Sequence, residues 1–186
     1  ITPPHAGAGI LLVESDHLLH TQQIQAKAGA VYELTVTPEW ERHDVYVTAL
    51  VFRGDDGLDE LTTTGHSRIW EVTRGDIHEH DLDPRDLGIP RARIEDLRGG
   101  EPAHNADIVR RTLAGETGPV REIVLLNAAA GLVAYRLSKD ATQAQRPILE
   151  RLAEERELAA ATIDSGAAEA KLAAWIAATK DLSEAS

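Results

Sequence analysis

The stretch VYVTALVFRGDDGLDE, Val45 to Glu60, decides how the rest of the chain is read. Nine residues dense in β-branched and apolar side chains, Val45–Arg53, predict a buried strand, and Gly54, Asp55, Asp56 and Gly57 are turn formers that stop it. The strand delivers an acidic loop. Adjacent carboxylates at a strand-to-loop junction offer several hard oxygen donors, and Mg²⁺ takes one or two carboxylates together with substrate phosphates. Asp-Gly pairs are also the commonest turn chemistry, and a solvated turn is the plainer explanation of the loop taken alone.

Working outward, Thr62, Thr63 and Thr64 follow the loop; hydroxyls near a metal site can bond phosphate oxygens, but satisfying local backbone amides is the expected role. Ser67–Thr73 and Asp76–Leu82 both alternate, which predicts a hairpin turning at Arg74 and Gly75. His78 and His80 fall on one face of the second strand. Paired imidazoles can ligate a transition metal, but no third ligand is placed nearby, so an exposed polar strand face is the expected role. Asp83–Pro90 holds two prolines and a glycine and reads as a loop.

From Glu101 the pattern is helical. Pro102 suits a first turn, Ile108, Val109, Thr112 and Leu113 share a face, and Gly115 suits the position past the end. A helix starting at Pro119 is apolar on most sides and should be central, with Asn127 as the polar interruption whose amide must find partners. Ile148, Leu152, Ala159 and Ile163 stripe the next helix, which should stop near Asp164–Gly166. Ser165 is expected to cap a last helix in which Ala168, Leu172, Trp175, Ile176 and Thr179 line one face, with Trp175 buried. Upstream, Ile1–Gly9 reads as a loop, Ile10–Val13 as an apolar run, Glu14–Ala28 as a polar helix and Val31–Thr37 as a strand.

Composition bounds the function. With 186 residues the chain suits one domain, and 42% hydrophobic with 27% charged residues is ordinary for a globular protein. A net charge of -12 argues against broad contact with nucleic acid or anionic lipid. There is no cysteine, which excludes disulfides, thiol nucleophiles and zinc–thiolate sites. No stretch approaches the roughly 20 apolar residues of a membrane helix, so no membrane partner and a cytoplasmic location are expected. The chain starts at Ile1 and contains no Met, and a fragment is the expected explanation. No phosphate-binding glycine loop or nucleophile-elbow motif stands out.

The string ALVFRGDDGLDELTTTGHSRIWEV, Ala49–Val72, resembles the segment of anthranilate phosphoribosyltransferases that carries an Asp-Glu metal pair after a strand. The resemblance continues through LGIPRARIEDLRGGEPAHNADIVRRTLAGETGPVREIVLLNAAAGLVAY and ends in Thr162–Ala168, TIDSGAA. It implies an α/β fold, part of a mostly parallel sheet flanked by helices, as in the large domain shared with nucleoside phosphorylases. It further implies that Asp59 and Glu60 bind Mg²⁺ against the pyrophosphate of phosphoribosyl pyrophosphate, whose phosphoribosyl group passes to anthranilate in tryptophan biosynthesis. No catalytic acid or base is implied. The family's GTGGD-type, KHGN-type and NFLGPLTNP-type segments have no counterpart here. The implied organisation is therefore an atypical stretch over 1–48, the C-terminal part of the family's α/β domain over 49–180, and a tail over 181–186. Little activity is expected of the chain alone, and the homodimer that members form through a helical domain is not expected. A non-catalytic α/β module, or a nucleoside phosphorylase-like enzyme, is the alternative.

Overall fold

A computed structural model describes residues 7–14, 18–27, 46–54, 60–73 and 76–184. Five strands form one sheet in the order β2-β1-β3-β4-β5: β1 Gly7–Glu14, β2 Leu18–Ala26, β3 Tyr46–Gly54, β4 Ser67–Thr73 and β5 Asp76–Leu82. The helices α1 Pro102–Leu113, α2 Pro119–Lys139, α3 Ile148–Asp164 and α4 Ala167–Glu184 all follow the last strand. The chain thus forms an α/β fold with a small sheet and a helical layer.

The expected strand over Val45–Arg53 is β3, and the expected hairpin is β4–β5, in the register Ser67↔Leu82 to Thr73↔Asp76. The sheet itself differs from the mostly parallel one that the resemblance implied. Every described pairing is antiparallel. Parallel neighbours need a crossover of a dozen or more residues, usually a helix, and among the described residues no helix precedes the last strand.

Upstream of β3 the expected polar helix over Glu14–Ala28 is instead β2, paired to β1 from Gly7↔Ala26 to Glu14↔Leu18. Its glutamines favour helix, but the apolar run of β1 offers a pairing edge, and pairing outweighs a weak local preference. β1 also takes Gly7–Gly9 out of the expected loop. The expected strand Val31–Thr37 lies outside the described residues. Asp83–Pro90 is tighter than a plain loop: Pro84–Leu87 form a 3-10 turn closed by Gly88 at φ 71°.

The main core joins the sheet to the helices. Leu61, Ile69, Leu82 and Ile89 pack against Leu126, Ala129, Ala130 and Val133 of α2 and Ile148 and Leu152 of α3. A second cluster, Leu125 with Ala159 and Ile163, takes in Leu113 and Ala168 and ties the ends of α1 and α4 to the α2–α3 pair. α2 contributes to both clusters, as expected of a central helix. The stripe predicted on α3 is the buried one. Trp175 is not buried: it is 67% exposed, because α4 leaves the body after its first turns. Ser165 does not cap α4 with its side chain; its hydroxyl donates back to the Thr162 carbonyl at 3.2 Å.

Candidate functional site

The site grows from the end of β3. Gly54 is buried; of the acidic loop, Asp55–Asp59 lie outside the described residues, and Glu60 is exposed. Asp59, half of the expected metal pair, therefore has no described position. Glu60 sits directly before a segment that is fixed from several sides. The Leu61 N–H donates to Asn127 Oδ1 at 3.0 Å, and Asn127 Nδ2 donates to the Leu61 carbonyl at 2.9 Å and to the Ile123 carbonyl at 3.0 Å. The amide that interrupts the apolar helix thus completes both backbone groups of the residue after Glu60.

The threonines continue the anchoring. The Thr62 N–H donates to Ser67 Oγ at 2.9 Å, and Thr62 Oγ1 accepts from the Thr64 N–H at 3.0 Å. The second bond is the expected satisfaction of a local amide by a threonine hydroxyl; in the first the hydroxyl belongs to Ser67. The Thr63 carbonyl accepts from Ala92 N–H at 3.0 Å, while Thr63 Oγ1 is buried without a partner. A fixed backbone beside an exposed carboxylate is the arrangement that positions a ligand before it binds.

A cluster around Asp83 closes the far end of the segment. Its carboxylate accepts from Arg85 Nη2 at 2.6 Å, Arg91 Nη2 at 2.9 Å and the Arg85 backbone at 3.0 Å, and His66 Nε2 lies 3.6 Å away. The hydrogen bond from the Arg85 side chain is the chief reason that this carboxyl is held below the usual carboxylate range. Sequence reading passed over Asp83. The available signal was Asp-Pro at a helical start, where the Asp side chain accepts from the turn that follows.

His78 and His80 part company. His78 is exposed, whereas His80 Nε2 lies 3.1 Å from Glu71 Oε2, and that carboxylate is only 1% exposed. Arg151 of α3 grips Glu71 with two bonds of 2.7 and 2.8 Å. Burial works against the Glu71 charge, but the Arg151 bonds and the His80 contact outweigh it and hold the carboxyl below its ordinary value. This is an ion pair tying β4 to α3. Among the described residues, no three His, Cys, Asp or Glu side chains are grouped to hold a metal.

A cleft of about 500 Å³ lies elsewhere, between residues 96–99, α1 and the start of α2, and no residue from 60 to 67 lines it. Its size says nothing of the chemistry at Glu60. Among the described residues, no helix is long and apolar enough to cross a membrane.

Comparison with known proteins supplies the family. The description "Glycosyl transferase family, a/b domain" matches residues 42–169. The chain is 64% identical over 133 residues to an anthranilate phosphoribosyltransferase of Leifsonia xyli subsp. xyli, covering 72% of this chain and 38% of that protein. It is 50% identical over 131 residues to one from an Arthrobacter species, covering 70% and 36%. The crystal structure of anthranilate phosphoribosyltransferase from Thermus thermophilus superposes with a TM-score of 0.52 at 37% identity, over 69% of this chain and 34% of that one. The enzyme from Saccharomyces cerevisiae in complex with phosphoribosyl pyrophosphate and Mg shares the fold, with a TM-score of 0.50 at 20% identity over 63% and 31%. The chain spans little more than a third of the length of these curated relatives.

Proposed function

The chain belongs to the glycosyl transferase family, a/b domain, and from that premise we propose that it is part of a cytoplasmic anthranilate phosphoribosyltransferase. That enzyme transfers the phosphoribosyl group of phosphoribosyl pyrophosphate to the amine of anthranilate, releasing pyrophosphate. The observation that carries the reading is the 64% identity, sustained over 133 residues, to a protein of that name.

Asp59 and Glu60 are the residues that would hold Mg²⁺. The donor set fits: carboxylate oxygens are the hard ligands this ion takes, and Glu60 is exposed and so free to meet a phosphate-bound ion. Bound there, the ion would offset the negative charge that grows on the departing pyrophosphate. The chain's own contribution is positioning. Asn127 holds the backbone next to Glu60, and the Thr62–Ser67 and Thr63–Ala92 bonds keep the following residues in place. Neither Asp59 nor Glu60 acts as acid or base in this reading.

Isothermal titration of phosphoribosyl pyrophosphate with and without Mg²⁺ tests it. Binding should require the metal, and Glu60→Ala should weaken it at least tenfold, about 1.4 kcal/mol. Equal binding without Mg²⁺, or an unaffected Glu60→Ala variant, removes the assignment. Turnover by the isolated chain should be far below that of its relatives, because it spans 38% of the length of the Leifsonia protein. Anthranilate fluorescence lost at ordinary enzyme rates contradicts this.

A further inference from the structure

The cleft of about 500 Å³ between residues 96–99, α1 and the start of α2 has the size of a small-molecule site, and its charges are unevenly matched. Two acids line it, and arginines already hold both: Asp96 pairs with Arg93 at 2.7 Å, and Glu116 with Arg111 at 3.0 Å. Arg98 also lines it, and its side chain makes no ion pair or hydrogen bond among the described residues. Positive charge is left over.

Arg121 adds to the excess. It lines the cleft while only 7% exposed; its Nη2 donates to Asp164 Oδ1 at 2.7 Å, but its Nη1 is buried with no acceptor. A buried guanidinium N–H without an acceptor is uncommon and calls for one. The starts of α1 and α2 both border the cleft, through His104 and Asn105 and through Gly118 to Arg121, and neither has a side-chain cap. The first N–H groups of a helix have no intrahelical partner and form its positive end. Leu97, Ile108, Val109 and Val120 supply the apolar part of the wall.

We propose that this cleft binds a small organic anion, a carboxylate or phosphate group carried on an apolar body. The anionic group meets Arg98, Arg121 and the uncapped helix starts, and the body lies on the apolar wall. A bare metal cation does not suit it, because both lining acids are already bridged by arginine. The site is separate from the phosphoribosyl transfer proposed above, since no residue from 60 to 67 lines it.

The test is to titrate the isotope-labelled chain with benzoate, phenyl phosphate and inorganic phosphate, following amide chemical shifts. At least one of the two aromatic anions should shift Gly99, His104, Gly118 and Val120 together and saturate with a Kd of about 1 mM or below. Whichever of the two binds tighter identifies the anionic group, and inorganic phosphate should bind at least tenfold more weakly than it. Arg98→Ala should weaken binding at least fivefold with no change in melting temperature, since that side chain is exposed and unpaired. Val109→Asp, which sets a carboxylate on an exposed part of the wall, should abolish it. No saturating shift at these amides overturns the proposal, and so does inorganic phosphate binding as tightly as the aromatic anions or an unaffected Arg98→Ala variant. Phosphoribosyl pyrophosphate with Mg²⁺ should leave the shifts in place; displacement by it overturns a separate site. Failure of that donor to bind at all sinks the functional reading and leaves the cleft assignment standing.

Discussion

Asn127 shows what one side chain can settle. Its amide makes three bonds, two of them to the residue after Glu60. Asn127→Leu leaves both Leu61 backbone groups unpaired and should cost about 1–3 kcal/mol in urea unfolding. A cost within about 0.5 kcal/mol, the range of ordinary surface changes, refutes the anchoring role. Sequence flagged Asn127 because a polar residue inside an apolar helix needs partners, but the partner lies 66 residues away and only folding supplies it. The Glu71–Arg151 pair is a harder case, joined across 80 residues with no local sign in either segment. Arg151→Met strands a buried carboxylate and should cost about 3–5 kcal/mol, whereas pairing it with Glu71→Leu should recover much of that loss. Because the folded Glu71 carboxyl sits below its ordinary value of 4.5, its contribution is present above that pH and lost as pH falls through the lower folded value. Asp83 acts in the same direction. Urea midpoints should therefore drop as pH falls below about 4, and the Glu71→Leu/Arg151→Met variant should show a shallower drop.

At the scale of elements, the α2–α3 pair is the best-determined part of the chain. Buried Leu125, Ala129 and Val133 meet the Ile148, Leu152, Ala159 and Ile163 stripe, and three ion pairs link the two helices: Arg121–Asp164, Glu122–Arg156 and Arg136–Glu155. Period 3.6 made both helices readable. The turn into α2 was half-readable. Gly115, at φ 94°, takes the expected place past α1, but Gly118, at φ 138° and ψ -175°, sits in a backbone region reserved for glycine that no pattern announced. Gly118→Ala should destabilise by about 1–3 kcal/mol, read from thermal melts. A neutral result refutes the strain argument. Trp175 shows the limit of periodicity: its spacing from Ala168 and Leu172 is right for one face, yet a stripe specifies that a face wants cover, not that cover is present.

For the whole molecule, the order of elements matters more than their identities. Every described helix is C-terminal to the strands, and β1 pairs antiparallel with the edge of β3 at Gly9↔Val51 and Leu12↔Thr48. Deleting residues 1–45 uncovers that edge. The shortened chain should aggregate faster than the full one at equal concentration, measured by light scattering, since an open strand edge recruits other chains. An equally soluble product contradicts the pairing. The opposite edge, β5, is protected by its charge: Asp76, Glu79 and Asp81 are exposed along it, and Arg68 pairs with Glu79 and Asp81.

By itself the sequence determined β3 and the hairpin, the four helices with their turn glycine at Gly115, the need of Asn127 for partners, and a resemblance that named the family. Apart from the resemblance, which runs over Ala49–Ala168, each of these is written in residues adjacent or one helical turn apart, where propensity and period act. Tertiary structure decided the antiparallel sheet, the strand at β2, the exposure of Trp175, the Glu71–Arg151 pair and the Asp83 cluster. Those depend on which surfaces meet across tens of residues, and pairing and burial there outweigh local preference.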